Sequence, residues 1–253
     1  MIMNRNDYCQ GGDGTAWGVG LQLLQTGSHD HQEVDFILAL LERRRKYFGD
    51  GVVAIDCGAN IGVHTIEWAR AMYGWGEVLA FEAQEKIFYA LAGNVVLNNC
   101  LNVSARHCAV GATSGQIDIP EPNYLIPSSF GSFELKESDK TQSIGQDVDY
   151  KKTKSVSQIS IDSLALKRLD LIKIDVEGME LEVLEGAAES LARHSPVLMV
   201  EVIKTDKESI ERMLSTLGYR CYPLGYMLLA VHADDPLGQN ITVDNGALSL
   251  GRF

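Results

Sequence analysis

Val52-Val53-Ala54-Ile55-Asp56-Cys57-Gly58-Ala59-Asn60-Ile61-Gly62 is the stretch on which the fold turns. Four consecutive apolar residues run into an aspartate and then into two glycines within five positions. A parallel strand buried on both faces, ending in a tight turn into a helix, has this pattern. Gly58 and Gly62 let the backbone turn sharply and let a ligand approach main-chain atoms. The helix start beyond them is expected to offer unpaired N–H groups to a carboxylate. The dinucleotide pattern G-x-G-x-x-G would need glycines at 60 and 63, where Asn60 and Val63 stand, so pyrophosphate binding is disfavoured. Asp56 repels phosphate and welcomes an ammonium, and a zwitterionic amino-acid tail fits this loop better than a dinucleotide. The same residues taken alone also suit an ordinary strand-to-helix turn.

On either side of this stretch the same alternation continues. Val34, Ile37, Leu38, Leu40 and Leu41 recur at helical spacing between Glu33 and Tyr47. Downstream the pattern predicts a helix from about Val63 to Tyr73, a strand at Glu77–Phe81, a helix at Lys86–Asn98 and a strand at Val103–Ala109. Further on come a strand at Leu171–Asp175, a helix at Glu180–Ala192, a strand at Pro196–Val202 and a helix at Lys207–Leu217. A hairpin pairs Tyr219–Tyr222 with Met227–Val231. Such an order implies right-handed βαβ units and a mostly parallel sheet closed by an antiparallel C-terminal strand. Residues 115–161 break the pattern. Gln116–Ile119, Ser132–Leu135 and Val156–Ile161 alternate like exposed strands, separated by Pro120, Pro122, Pro127 and a charged run from Lys136 to Lys154. They read as a β-rich insertion with a mobile lid over the crevice. Residues 1–32 read as a loose, glycine-rich arm and 234–253 as a tail, within one domain spanning 1–253.

The chain has 253 residues, 45% of them hydrophobic, enough for one large α/β domain. A formal charge of −12 repels phosphate backbones and excludes nucleic acid as an expected partner. The basic clusters Arg43-Arg44-Arg45-Lys46 and Lys151, Lys152, Lys154 read as solvated faces. The five cysteines show no CxxC pairing, Met1–Gly20 lacks the apolar core of a secretory signal, and no apolar run reaches membrane-spanning length. The expectation is a soluble cytoplasmic protein with free thiols and no membrane partner. Nothing in the pattern fixes an oligomeric state.

Four positions carry candidate chemistry besides the glycine loop. Glu82 ends the second strand, where a carboxylate can accept both ribose hydroxyls of an adenosine. Lys173, Asp175 and Glu177 alternate with apolar residues, so a continuing strand would project all three to one side. A lysine in an apolar strand needs a partner; a purely structural ion pair is the rival reading. Glu201 closes the strand beside that of Asp175, where open α/β sheets bind ligands. His64 opens the helix after the loop, as a site residue or as a structural one. His29 and His31 could reach back from the arm, but without cysteine partners they do not read as a zinc site.

Asp56–Gly62, Phe81-Glu82-Ala83 and Ile172-Lys173-Ile174-Asp175-Val176-Glu177-Gly178-Met179-Glu180 resemble, in that order, the FkbM family of methyltransferases, with similarity over roughly residues 50–231. The resemblance implies a Rossmann-like class I methyltransferase sheet and S-adenosyl-L-methionine as cofactor. Asp56, Gly58, Asn60 and Gly62 would hold its methionine end, Glu82 its ribose, with Asp175 alongside. Members usually carry proline after the acidic strand end; Ala83 stands here. The family mostly methylates hydroxyl groups of small molecules or sugars. A sulfonium methyl is already activated, so the protein must align the acceptor and exclude water. A hydroxyl also needs a base or a divalent ion. Asp175 and Glu201 are candidates for either role, with Lys173 and His64 beside them, and their oxygen donors suit Mg²⁺ rather than Zn²⁺. A nicotinamide-dependent oxidoreductase shares Glu82 but lacks the third glycine. A non-catalytic partner protein that keeps the fold is the other alternative.

Overall fold

The computed structural model describes residues 1–12, 14–138, 141–244 and 247–251. Its centre is a seven-stranded sheet: β1 (Val52–Cys57), β2 (Gly76–Glu82), β3 (Val103–His107), β4 (Leu171–Ile174), β5 (Val197–Glu201), β6 (Tyr219–Leu224) and β7 (Met227–His232), in the order β3-β2-β1-β4-β5-β7-β6. All neighbours run parallel except β7, which is antiparallel to both β5 and β6. The strand order reverses between β2 and β4, on either side of β1. That switch point opens a crevice at the carboxyl ends of the strands.

The residues of β1 are buried throughout, because helices cover both faces of the sheet. Val53, Ile55 and Cys57 pack with Ile172, Ile174, Leu198 and Val200 under α5 (Glu180–Glu185), α6 (Ala188–His194) and α7 (Lys207–Thr216). Val52 and Ala54 pack with Leu171, Val197 and Met199 under α2 (His31–Phe48) and α3 (Val63–Ala71). The period of two along each strand puts Asp56, Lys173 and Glu201 on this second face. Its far flank is covered by α4 (Glu85–Leu97), whose Leu91 meets Ala80.

Several expectations are corrected. Ser132–Leu135 is no exposed strand: Phe133 and Leu135 are buried with Ile119, Ile144, Val156 and Met179 in a core of their own. The regular strands there are Gly115–Pro120 and Thr153–Ile159, antiparallel, with Ala109–Val110 parallel to the second. Of the charged run, Asp139 and Lys140 lie outside the described residues. The helix expected over 180–192 breaks after Glu185, where a Cβ on Gly186 would stand 2.2 Å from the Gly111 carbonyl oxygen. The segment read as a loose arm forms α1 (Val19–Thr26) and a small hairpin of Cys9–Gln10 with Ala16–Trp17. Buried Asp7 anchors it, accepting from the Gly20 N–H at 3.0 Å and the Phe130 N–H at 3.2 Å. The segment read as a tail seats Leu237 in the core and pairs Ile241–Asp244 with Ala247–Leu250; Asn245, Gly246, Arg252 and Phe253 lie outside the described residues. Local composition hid these contacts because their partners are distant in sequence. No helix among the described residues is long and apolar enough to cross a membrane.

Candidate active site

The crevice is a cavity of about 530 Å³, within the range of small-molecule sites. Asp56, Gly58, Asn60, His64, Glu82, Lys173, Asp175 and Glu201, all singled out from sequence, line it. Gly62 does not reach the wall but begins α3 with φ +92°.

The loop after β1 is held more tightly than its glycines imply. Gly58 and Ala59 both donate to the Phe81 carbonyl, at 3.0 and 2.9 Å. Asn60, in the left-handed region at φ +50°, donates its N–H to Glu82 Oε2 at 2.9 Å, and its side chain accepts from Ile61. Gly62 donates to Ala59. The N–H groups from Gly58 to Gly62 are thus taken internally: the turn is satisfied by β2 and by itself. Glu82 fastens the loop from the other side, accepting also from the Gln84 N–H at 2.7 Å. Burial pushes its pKa up to about 7, although the two N–H bonds favour the charged form.

Asp56 is 1% exposed. Its Oδ2 accepts from Thr65 Oγ1 at 2.6 Å, and its Oδ1 has no partner. Across the β1–β4 register it is level with Lys173. The Lys173 ammonium is buried and donates to Asp175 Oδ2 at 2.7 Å. Burial opposes its charge, but Asp175, Glu33 and Asp56 outweigh that cost and raise its pKa. The ion pair considered for Lys173 is therefore real, and it sits on the cavity wall.

β4 ends at Ile174, so the expected continuation through Glu177 does not occur. The chain turns there, Glu177 adopts φ +56°, and its carboxylate meets Lys204 Nζ at 2.7 Å. Glu201 is 8% exposed, with an unpartnered Oε2. Burial, then the charges of Asp175, Glu177 and Glu180, push its pKa up to about 9. His64 stands 3.5 Å from Glu33 Oε1, edge-on to Trp68, with Nδ1 unpartnered. Burial and the nearby Lys173 keep its pKa well below the usual histidine value.

Sequence reasoning missed the wall supplied by α2 and the β6–β7 turn. Glu33 accepts from the Tyr226 hydroxyl at 3.1 Å, which is equally close to Asp30 Oδ2. Glu33 Oε1 is buried without a hydrogen-bond partner, and burial raises the Glu33 pKa. Glu33 was legible only as a polar residue on an amphipathic helix, and Tyr226 as a turn residue. Trp17, Val19 and Gln22 of the arm, and Ser129, Gly131, Ser132 and Phe133 of the insertion, also line the cavity. His29 reaches the wall; His31 lies out on α2, 3.3 Å from Asp35 with a largely exposed ring.

Residues 56–221 match the family model described as the methyltransferase FkbM domain. The chain is 29% identical over 153 residues to Methyltransferase 1 of Beauveria bassiana, covering 55% of this chain and 59% of that protein. It is 28% identical over 191 residues to Methyltransferase sdnD of Sordaria araneosa, covering 65% and 72%. Among solved structures, the methyltransferase FkbM from Methylobacillus flagellatus KT aligns with a TM-score of 0.51 at 16% identity, over 74% of this chain and 46% of that one. The structural likeness is one of fold.

Proposed function

The chain belongs to the FkbM family of methyltransferases, and we propose that it transfers the methyl group of S-adenosyl-L-methionine to a hydroxyl group of a small molecule or sugar. One observation carries the reading. Glu33, Asp56, His64 and Glu201 line a single cavity, and each keeps a buried polar atom without a hydrogen-bond partner. Buried polar atoms are rarely left unpaired, so four around one cavity point to a polar ligand that completes them.

The residues present fit the cofactor. Asp56 offers a buried, donor-less oxygen suited to an ammonium. Gly58, Asn60 and Gly62 shape the loop against which the methionine end would lie. Glu82 faces the cavity with a carboxylate able to accept ribose hydroxyls. When bound, the cofactor supplies a methyl group already activated on sulfur. The chain's own part is then to orient an acceptor, exclude water and take up a proton. Lys173 fixes Asp175 in place at the carboxyl end of β4. Glu201 is a strong proton acceptor once ionised, because its surroundings disfavour its charge and hold its pKa up to about 9. Removal of the hydroxyl proton falls to Asp175 and Glu201, with His64 on the same cavity wall. The same two residues would hold a divalent cation such as Mg²⁺, which when bound raises the acidity of the hydroxyl. Trp17, Phe133 and Leu135 shield the cavity with apolar surface.

The wall also carries Asp30, Glu33, Asp56, Glu82, Asp175, Glu177 and Glu201 against Lys173. Such a wall favours a neutral, hydroxyl-rich or cationic acceptor over a phosphorylated one. A nicotinamide oxidoreductase is not favoured by the family match. The test is calorimetric titration with S-adenosylhomocysteine, followed by turnover with labelled cofactor against a panel of sugars and hydroxylated small molecules. Binding of the product analogue and mass gain of one CH₂ unit on a hydroxyl are expected. Absence of any binding overturns the proposal.

A further inference from the structure

We propose that Asp175, Glu177 and Glu201 form a binding site for one hard divalent cation, of the Mg²⁺, Mn²⁺ or Ca²⁺ kind, at the carboxyl ends of β4 and β5. The inference deepens the methyltransferase reading and rests on it for its purpose, but its observations are separate.

The three side chains each place one carboxylate oxygen within 4.8 Å of the other two. They reach that spot from different places. Asp175 lies one residue past β4, Glu177 sits in the turn that follows, and Glu201 is the last residue of β5. Acidic residues cluster on many surfaces without binding anything, and the second observation concerns Glu201. Its side chain is more than nine-tenths buried, lines the cavity beside the other two and has an oxygen with no hydrogen-bond partner. The nearby lysines are committed elsewhere. Lys173 donates to Asp175 and Lys204 pairs with Glu177, each at 2.7 Å, and Lys204 also donates to the Ser132 carbonyl at 2.6 Å. Glu201 is left facing two carboxylates with no cation of its own. Ionised, an acid in that position is costly unless something positive joins it.

The donor set is oxygen only, which selects hard cations over Zn²⁺. With metal–oxygen bonds of about 2.1 Å for Mg²⁺, opposite ligand atoms stand roughly 4.2 Å apart; with about 2.4 Å for Ca²⁺, roughly 4.8 Å. Oxygens no more than 4.8 Å from one another can close on one such ion by side-chain rotation. Asp175 is 30% exposed in its side chain, so an ion has a path in from the cavity.

The experiment is calorimetric titration of the full chain with MnCl₂ and, separately, CaCl₂, repeated on Glu177→Gln and Glu201→Gln. Each protein is titrated in parallel with S-adenosylhomocysteine. One ion per wild-type chain is expected, with affinity falling on the order of 10–100-fold in each variant, while the nucleoside is bound with little change. Thermal unfolding in EDTA should show Glu201→Gln at least as stable as wild type, since the amide removes an acid that lacks a cation. No ion bound by wild type, or equal affinity in wild type and both variants, overturns the site even if S-adenosylhomocysteine binds. Ion binding that follows the variants supports the site; if the nucleoside then fails to bind, the cofactor reading falls and the cation site stands.

Discussion

A Cβ on Gly58 would stand 1.7 Å from the carbonyl oxygen of Asp175. The loop proposed to hold the cofactor and the strand end proposed to hold the acceptor are therefore in backbone contact, with no side chain between them. Gly58 also sits at φ +79°, where a side chain is strained. Gly58→Ala should cost roughly 3 kcal/mol or more in stability, from the clash and the dihedral together. It should also weaken S-adenosylhomocysteine, because Asp175 must move. Denaturant unfolding and calorimetry measure the two effects. An unchanged midpoint would show that the loop is looser than the geometry requires.

Glu82 couples the cofactor site to pH. Its pKa rises from the ordinary value of 4.5 to about 7, chiefly through burial. Below pH 4.5 both folded and unfolded chains hold the proton, and the full contribution to stability is present. As pH rises toward 7 the unfolded chain ionises first and folded stability declines, levelling off above 7. Cofactor affinity should run the other way, strengthening as pH rises through 7 and a carboxylate becomes available to the ribose hydroxyls. Glu82→Ala should lose roughly 1–3 kcal/mol of binding and flatten both profiles. Affinity for S-adenosylhomocysteine that is unchanged in Glu82→Ala would remove the ribose assignment.

The arm has its own fastening. Asp7 bonds the backbone of Gly20 and of Phe130 at once, linking α1 to the insertion above the cavity. Asp7→Ala leaves two buried N–H groups unpaired, at a cost of roughly 1–3 kcal/mol each. Limited proteolysis of this variant should cut within residues 1–30 well before the sheet, and faster than in wild type. Equal cleavage rates would show that the arm is held by other contacts.

What the sequence disclosed and what it hid separate along physical lines. Val52–Cys57, Val78–Phe81 and Leu171–Ile174 are strands because continuous apolar runs between turns have few other uses. Glu82, Asp175 and Glu201 were legible because they interrupt or end such runs, where a carboxylate must be paid for by a partner or a ligand. Lys173 was legible for the same reason. Glu33 and Tyr226 were not, since a carboxylate on a helix and a tyrosine in a turn are ordinary in isolation; only the fold brings them together, 3.1 Å apart. The burial of Phe133 and Leu135 was likewise invisible, because their alternation matches an exposed strand until Ile119 and Val156 are placed across from them. The glycine loop was read correctly as a tight turn, but the destination of its N–H groups depends on Phe81 and Glu82, one strand away.

Two carboxyls in the cavity, Asp175 and Glu201, differ in how they can handle the proton. Asp175 is tied to Lys173 at 2.7 Å, and that bond steadies it as an orienting group. Glu201 has no such partner and its pKa rises to about 9, so it keeps its proton near neutral pH and becomes a strong proton acceptor as pH approaches 9 or when a positive ligand stabilises its charge. Turnover needs a hydroxylated acceptor, once one has been found by screening. With it, Glu201→Gln should lower kcat by roughly 10²–10⁴-fold, the usual range for a lost general base, while the affinity for S-adenosylhomocysteine changes little. Asp175→Asn should act more on KM for the acceptor, because the amide can still accept from Lys173 but holds the hydroxyl less firmly. Adding EDTA divides the two routes for the proton. Direct transfer to Glu201 survives chelation, whereas a cation held by Asp175, Glu177 and Glu201 makes activity vanish and return with Mg²⁺. If both variants turn over like wild type, neither carboxyl takes part. His64, 3.5 Å from Glu33 on the same wall, then becomes the group to replace, with His64→Gln read by the same kcat and KM measurements.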